Sequence, residues 1–172
     1  DYKSQSVQLE SAPQLLDGAE KGGYSIQINP GCGAALFSFN VTHPDMEKRS
    51  VYGDIRFRQA MSMAMNRDEI NEVAYYGMGV VEQYTGISPA PDFISDEMKS
   101  YMTQYDPAAA NALLDEIGLS DTDGDGFREL PSGAPFVMSI DYATQGIGGV
   151  EVELVARHWN EVGVKTTFKE VT

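Results

Sequence analysis

The middle of the chain carries the apolar spacing of two consecutive helices. Asp54 stands where the first helix needs an N-cap, and Asn66 stands where the second one does. Glu69 follows Asn66 by three residues, which is the spacing of a capping box. Spacings of three and four residues assign these apolar side chains to buried faces: Phe57, Ala60, Met61, Ala64 and Met65 in the first helix, and Ile70, Val73 and Ala74 in the second.

The clearest helix signal covers residues 106–118. Asp106 supplies an N-cap, Pro107 occupies the first helical position, and Gly118 supplies a left-handed stop. Glycine, proline and tyrosine dominate the stretch before it, and one short helix is predicted there, within residues 93–102.

Alternating apolar and polar residues predict two strands near the start of the chain, over residues 24–28 and 35–41. A helix that ends at the Gly22-Gly23 pair precedes them. Phe37 and Phe39 share one face of the second strand, because side chains two residues apart point the same way.

The last part of the chain has the pattern strand, helix, strand. Residues 136–142 and 164–171 are strand-like, and a helix closed by Gly163 lies between them. Parallel strands joined by a helix form a right-handed crossover. These elements predict one α/β domain over residues 1–172, with a mixed sheet flanked by helices. The last helix buries Val152, Val155, Ala156 and Trp159.

Composition excludes several classes of protein. The 172 residues include 12 basic and 26 acidic side chains, a net charge of −14, and nucleic-acid binding needs the opposite balance. Cys32 is the only cysteine, so neither an internal disulfide nor a cysteine-based zinc site is expected. No apolar run approaches the roughly 20 residues that span a bilayer.

The sequence contains no catalytic motif. Its two histidines, His43 and His158, lie in neither a GxSxG nor an HExxH frame, and we expect them to be exposed or packing residues. We therefore predict that the protein is not an enzyme. A carboxylate-based hydrolase stays as an alternative, and turnover on a peptide or glycan panel would show it.

An acidic loop matches part of a calcium site. Residues 121–126 follow the first six positions of an EF-hand loop, and Glu129 falls at the ninth. The twelfth position, normally a bidentate Glu, is Ser132. In the alternative, the aspartates bond nearby backbone amides in Asx turns. The candidate ligands for Ca²⁺, the one cofactor considered, are Asp121, Asp123, Asp125 and Glu129.

Four landmarks follow one another along the chain in a fixed order. Residues 54–70, DIRFRQAMSMAMNRDEI, have the form D.RVRQA…A.DR..I, and the predicted strand before them ends in Phe39-Asn40. Residues 105–114 have the form YDP..A..LL, residues 121–126 the form D.DGDG, and residues 159–164 are similar to a W…LGV ending.

In this order the landmarks resemble the solute-binding proteins of ABC importers, family 5, the class of oligopeptide- and dipeptide-binding proteins. Phe57 departs from the usual Val and Asn66 from the usual Asp, but both keep the local role. The resemblance implies a fold like that of the periplasmic binding proteins of type II, in which two α/β lobes close on a ligand. The chain resembles one excised, more C-terminal lobe.

The resemblance also implies a function and a site. The expected function is binding of oligopeptides or dipeptides for uptake, outside the cytoplasmic membrane, either in the periplasm or lipid-anchored on the membrane's outer face. The expected partners are a peptide or other small-molecule ligand, the missing lobe and the ABC permease subunits, and no nucleic acid. Alternatives are an oligosaccharide-binding member of the family and a free-standing calcium-binding module. The candidate ligand-binding residues are Tyr142, Ala143, Thr144, Gln145, Phe37, Phe39, Asn40 and Tyr84.

Overall fold

The computed structural model describes residues 9–27, 35–83, 85–86, 90–143 and 148–171. None of the helices in these ranges is long and apolar enough to cross a membrane. A single 3₁₀ turn, Leu9–Ser11, opens the described chain. The other elements are α1 Ala12–Gly22, α2 Met46–Gly53, α3 Ile55–Met63, α4 Arg67–Tyr75, α5 Asp96–Ser100, α6 Pro107–Glu116, β1 Val137–Tyr142, α7 Gly149–Glu161 and β2 Lys165–Glu170.

The strand–helix–strand pattern at the end of the chain is confirmed. β1 and β2 pair in parallel, with Val137 opposite Lys165 and Tyr142 opposite Glu170, and α7 joins them and packs on both. Glu129 also forms isolated antiparallel bridges, one with Ser120 and one with Pro135. Among the described residues the sheet itself consists of the parallel pair alone.

The predicted helix ends are also confirmed. At Asp54, Asn66 and Asp106 the side-chain oxygen accepts a hydrogen bond from a backbone N–H of the first helical turn, which satisfies one of the donors that a helix start leaves free. Gly118 and Gly163 have φ of +82° and +79°. Glycine adopts this left-handed conformation without the steric cost that a Cβ would add.

The two strands predicted near the start of the chain are wrong for the described residues. Residues 24–27 and 35–40 form no strand, because a strand requires a neighbour to complete its hydrogen-bond ladder, and none of the described strands pairs with them. The predicted alternation is nevertheless present. Phe37 and Phe39 are half-buried, whereas Leu36 and Ser38 are exposed.

Helix α4 differs from its predicted role. The Glu69 carboxylate does not return to Asn66 to complete a capping box but binds Arg157 Nη2 and His158 Nε2 of α7, both at 2.7 Å. Contacts with Arg157 and His158 of α7 thus replace the predicted hydrogen bond between the Glu69 side chain and the Asn66 backbone. Val73, predicted to be buried, is 52% exposed, and Ile70 and Ala74 are only half-buried, so α4 has no fully buried residue.

Helix α2 was not predicted. Its N-cap is Asp45, whose carboxylate accepts hydrogen bonds from the backbone N–H groups of Glu47 and Lys48. The Asp after a proline is a helix-start signal, but the eight residues that follow carry only Val51 and Tyr52 as buried positions. So short an apolar pattern gives no recognisable period.

The hydrophobic core lies between the helices and the face of the sheet. Trp159 of α7 is central, since its indole N–H donates to the Met61 carbonyl of α3 at 2.9 Å. A tryptophan buried in this way needs such a partner. The buried side chains packed in this cluster are Val51, Tyr52, Phe57, Ala60, Met61, Met63, Ala64, Ala110, Leu114, Leu119, Leu130, Phe136, Met138, Val155, Trp159, Val162 and Val164.

Arg128 joins the acidic loop to two helices. Its Nε donates to the Val162 carbonyl at 2.9 Å, and its Nη1 donates to the Leu119 carbonyl and to the Asp115 carboxylate. Its Nη2 donates to Asn111 Oδ1 at 2.8 Å. A buried guanidinium satisfied from several sides fixes the end of α6 relative to the end of α7.

We predict that Arg128→Ala lowers the free energy of unfolding by about 3–5 kcal/mol, because the change leaves buried carbonyls without a donor. Urea denaturation measures it. The matched control is Arg56→Ala, which removes an exposed pair with Asp54 and should cost less than about 1 kcal/mol. Equal losses in the two variants would contradict this role of Arg128.

A second prediction concerns acid stability. Hydrogen bonds from Arg157 and then from His158 hold the pKa of Glu69 below its ordinary value of 4.5. A lowered folded-state pKa contributes stability that is present above 4.5 and is lost as the pH falls through the folded value. We therefore expect Glu69→Gln to be less stable than wild type near neutral pH and to lose less stability on acidification.

Urea denaturation at a series of pH values between about 3 and 7 tests this prediction. Glu72→Gln, on the exposed side of the same helix, is the control and should follow the wild-type acid profile. If Glu69→Gln keeps the full wild-type acid dependence, the pairing with α7 does not contribute to stability.

Candidate functional site

A cavity of about 800 Å³ lies between the 35–40 segment and β1. Residues 36–40 form one wall and residues 137–143 form the other, with Tyr52 and Trp159 also in contact with the cavity. This size is typical of small-molecule sites. We call this cavity the binding groove.

Aromatic packing holds the first wall in place. The ring of Phe37 meets Trp159 edge-on at 5.6 Å between centroids. Phe39 lies 5.7 Å from Trp159 and 5.2 Å from Phe57. Edge-to-face and offset pairs at these distances are favourable. These contacts fix the segment without a strand partner.

The second wall is β1, whose whole length contacts the groove, whereas no residue of β2 does. Since β1 is an outer strand of a two-stranded sheet, the backbone groups on its edge away from β2 have no ladder partner among the described residues. Lys48 Nζ donates to the Val137 carbonyl there at 2.9 Å. Tyr142 at the far end packs 6.5 Å from Phe168.

The charges in the groove are few and balanced. Lys48 and Asp141 are the charged side chains in its lining, together with the titratable His43. His43 Nδ1 accepts the Asp45 backbone N–H at 3.1 Å, which assigns the ring proton to Nε2. Ser139 Oγ donates to Asp141 at 3.0 Å. The groove therefore offers a ligand hydrogen bonds and aromatic surface rather than a strong electrostatic potential of one sign.

The structure brings five of the eight candidate ligand-binding residues to this groove: Phe37, Phe39, Asn40, Tyr142 and Ala143. Tyr84, Thr144 and Gln145 lie outside the described residues. Asn40 Oδ1 accepts hydrogen bonds from the Thr42 N–H and hydroxyl, so this side chain stabilises the local turn.

Sequence reasoning missed other parts of the lining. Lys48 and Tyr52 come from α2, which the apolar pattern did not reveal. Ser139 and Asp141 belong to the predicted strand over residues 136–142, but every residue of β1 lines the groove, so alternation along the strand does not identify these two. The only sequence feature that indicated the helix carrying Lys48 was Asp45, a possible N-cap.

The acidic loop is separate from the groove. The Asp121 carboxylate accepts from the N–H groups of Gly124 and Gly126, and Asp123 and Asp125 each accept from the N–H two residues later. These are the Asx turns of the alternative interpretation. Oxygens of Asp121, Asp123 and Glu129 also lie within 4.8 Å of one another. Asp125 is outside that group, so the predicted set of four does not converge.

Comparison with known proteins supports the α/β fold described above. A model of the bacterial extracellular solute-binding proteins, family 5 (middle), matches residues 3–172. A solved oligopeptide-binding protein, OppA, superimposes with a TM-score of 0.70 at 36% identity, over 78% of this chain and 21% of that chain. The α/β fold is therefore confirmed.

Two curated relatives have different ligands in their names. A periplasmic alpha-galactoside-binding protein of Rhizobium meliloti (strain 1021) is 30% identical over 151 residues, 85% of this chain and 19% of that protein. A dipeptide-binding protein of Escherichia coli (strain K12) is 28% identical over 141 residues, 77% of this chain and 24% of that protein. This chain spans about a fifth to a quarter of the relatives' length.

The calcium site stays a prediction, and calorimetric titration with Ca²⁺ tests it. If the loop binds calcium, we expect a saturable heat that Asp123→Ala abolishes. Asp125→Ala is the matched control and should keep the heat, because Asp125 is outside the convergent group. A silent wild-type titration would remove calcium from consideration.

Proposed function

The chain belongs to the bacterial extracellular solute-binding proteins of family 5, and from this membership we propose that it forms one lobe of a longer protein that binds oligopeptides or dipeptides for an ABC importer. In this proposal the groove beside β1 contributes one side of the ligand site. The longer protein works outside the cytoplasmic membrane and delivers its ligand to the permease.

The observation that carries the proposal is the form of the groove. The outer edge of β1 presents backbone N–H and C=O groups that no described strand uses, and aromatic side chains lie opposite at Phe37 and Phe39. A peptide backbone is recognised by backbone hydrogen bonds whatever its side chains are. Such a groove suits ligands of varied sequence.

Closure of two lobes supplies the affinity. A ligand that contacts one lobe and is then covered by the second favours the closed state by the contacts that only this state makes. One lobe alone offers half of those contacts. We therefore propose that the rest of the longer protein, rather than this chain, supplies the second wall over the ligand.

Binding without turnover fits the side chains of the groove. His43 Nδ1 accepts a hydrogen bond from a backbone N–H. The Asp141 carboxylate is exposed and accepts a hydrogen bond from the Ser139 hydroxyl. No described hydrogen bond joins the His43 ring to Ser139 or Asp141, so these side chains do not form the linked nucleophile, base and orienting group of a catalytic triad. The groove is built to hold a ligand.

An oligosaccharide is the second candidate ligand, because one relative is named for alpha-galactoside binding and because aromatic rings line the groove. Sugar rings pack their apolar faces on aromatic side chains, much as aromatic rings do with one another. The same groove therefore accommodates this chemistry, with hydroxyl groups in place of the peptide backbone.

Thermal-shift screening of the longer protein against peptides and oligosaccharides tests the function. We expect peptides to raise the melting temperature, because a ligand that binds only the folded state stabilises it by mass action. A shift with oligosaccharides alone would favour the second candidate. No shift with either panel would reject both.

A matched pair of variants in the longer protein tests the groove itself. Tyr142→Ala removes a ring from the lining and should weaken peptide binding about tenfold or more, the effect expected of a contact worth roughly 1.4 kcal/mol or more. Phe93→Ala removes a ring that is 78% exposed and lies outside the lining, so affinity should not change. Calorimetry measures both.

The isolated chain should fold but bind peptide weakly. Micromolar or tighter binding by the 172 residues alone would contradict the two-lobe proposal, because one lobe would then be a complete site.

A further inference from the structure

A second cavity, of about 560 Å³, borders the same 35–40 segment. Trp159 also lines both cavities. The remaining walls differ from those of the binding groove and come from α3, from the start of α4 and from residues near Tyr101. No residue of β1 lines it. We call it the arginine cavity, after the two charged side chains in its lining, Arg58 and Arg67.

The charge of this cavity contrasts with that of the chain. The protein as a whole carries 26 acidic and 12 basic residues, yet the described lining contains two arginines and no carboxylate. The binding groove, by comparison, has both Lys48 and Asp141. The arginine cavity is therefore a local positive site in an acidic protein.

The described partners of both guanidinium groups are neutral. Arg67 Nη1 donates to the Ser62 carbonyl at 2.7 Å, and Arg67 Nη2 donates to the Ser62 hydroxyl at 2.7 Å. Arg58 Nη1 donates to the carbonyls of Tyr52 and Gly53, both at 3.0 Å. Each guanidinium has five N–H donors, so donors remain on both side chains.

Three of the four other arginines are paired with carboxylates, whereas Arg49 donates to the His43 carbonyl. Arg56, Arg128 and Arg157 each form an ion pair with a carboxylate, whereas no such pair forms at Arg58 or Arg67 among the described residues. Burial also lowers the pKa of Arg67, as desolvation of a cation does. An anion beside Arg67 would offset that cost.

The remaining lining selects the kind of anion. Apolar side chains make up much of the wall: Leu36, Phe37, Ile55, Met61, Met65 and Met102. A fully hydrated inorganic anion gains nothing from such a surface, whereas an organic acid with an apolar body buries that body and presents its carboxylate to the guanidinium forks.

We propose that the arginine cavity is a binding site for a small organic carboxylate with an apolar body, held by Arg58 and Arg67. The site is distinct from the groove of the proposed function and does not depend on what that groove binds. It adds a ligand class to the protein, since the described lining of the groove has one lysine and one carboxylate, Lys48 and Asp141, in place of two guanidinium groups.

Titration of the ¹⁵N-labelled chain with 3-phenylpropionate, followed by NMR, tests the site. The neutral amide of the same acid, 3-phenylpropionamide, is the matched probe. We expect saturable shifts of the Arg58 and Arg67 Nε–H signals with the acid and none with the amide. Inorganic phosphate should bind about tenfold more weakly or not at all, because it lacks the apolar body.

Variants locate the effect. Arg67→Gln and Arg58→Gln should each weaken binding of the acid about tenfold, the expected loss of a charge-assisted hydrogen bond. Arg56→Gln is the control, because Arg56 lies on the same helix as Arg58 but lines neither cavity, and it should bind like wild type.

Several results would overturn the proposal. Equal response to acid and amide would show that charge is not recognised, and equal response to phosphate would show that the apolar wall is not used. Unsaturable shifts would mean that no site exists. If either glutamine variant fails to fold, the comparison of acid with amide on the wild-type chain still decides the outcome.

Discussion

The buried indole of Trp159 is the contact on which the rest of the structure depends. Its N–H bonds to the Met61 carbonyl, and this bond ties α7 to α3 inside the core. Its ring packs against Phe37 and Phe39, so the 35–40 segment is held by aromatic packing in place of a strand ladder. Because Trp159 lines both cavities, one side chain shapes both.

Polar side chains in this protein serve mainly to complete the backbone's hydrogen bonds. The Arg128 guanidinium satisfies carbonyls at the ends of two helices, and Glu129 accepts from Thr122 across the acidic loop. Buried polar groups are stable only when paired in this way. The loop over residues 121–129 thus acts as a fixed connection between α6 and the sheet, whether or not it also binds a cation.

The two cavities differ in the charge of their described linings. A net charge of −14 repels anions at long range, but short-range recognition depends on the groups within a few ångströms, where the protein's low dielectric strengthens each contact. The binding groove is balanced and suits a neutral or zwitterionic ligand. The arginine cavity suits a negative one.

The sequence by itself determined the elements whose signals are local. Asp54, Asn66 and Asp106 cap helices as predicted because capping needs only the side chain and the next turn, and the period of residues 152–159 identified a buried helix face. The order of landmarks was sufficient to indicate the family. Five of the candidate site residues implied by the family resemblance also line one groove.

Only the tertiary structure decided the contacts between distant elements. Residues 35–40 carry a strand pattern but form no strand, because pairing depends on a neighbour that the local sequence does not specify. The Glu69 carboxylate, predicted to complete a capping box, instead binds Arg157 and His158, which are far away along the chain. Likewise, Arg58 of α3 and Arg67 of α4 line one cavity without a carboxylate in its described lining, and no spacing in the sequence encodes this arrangement.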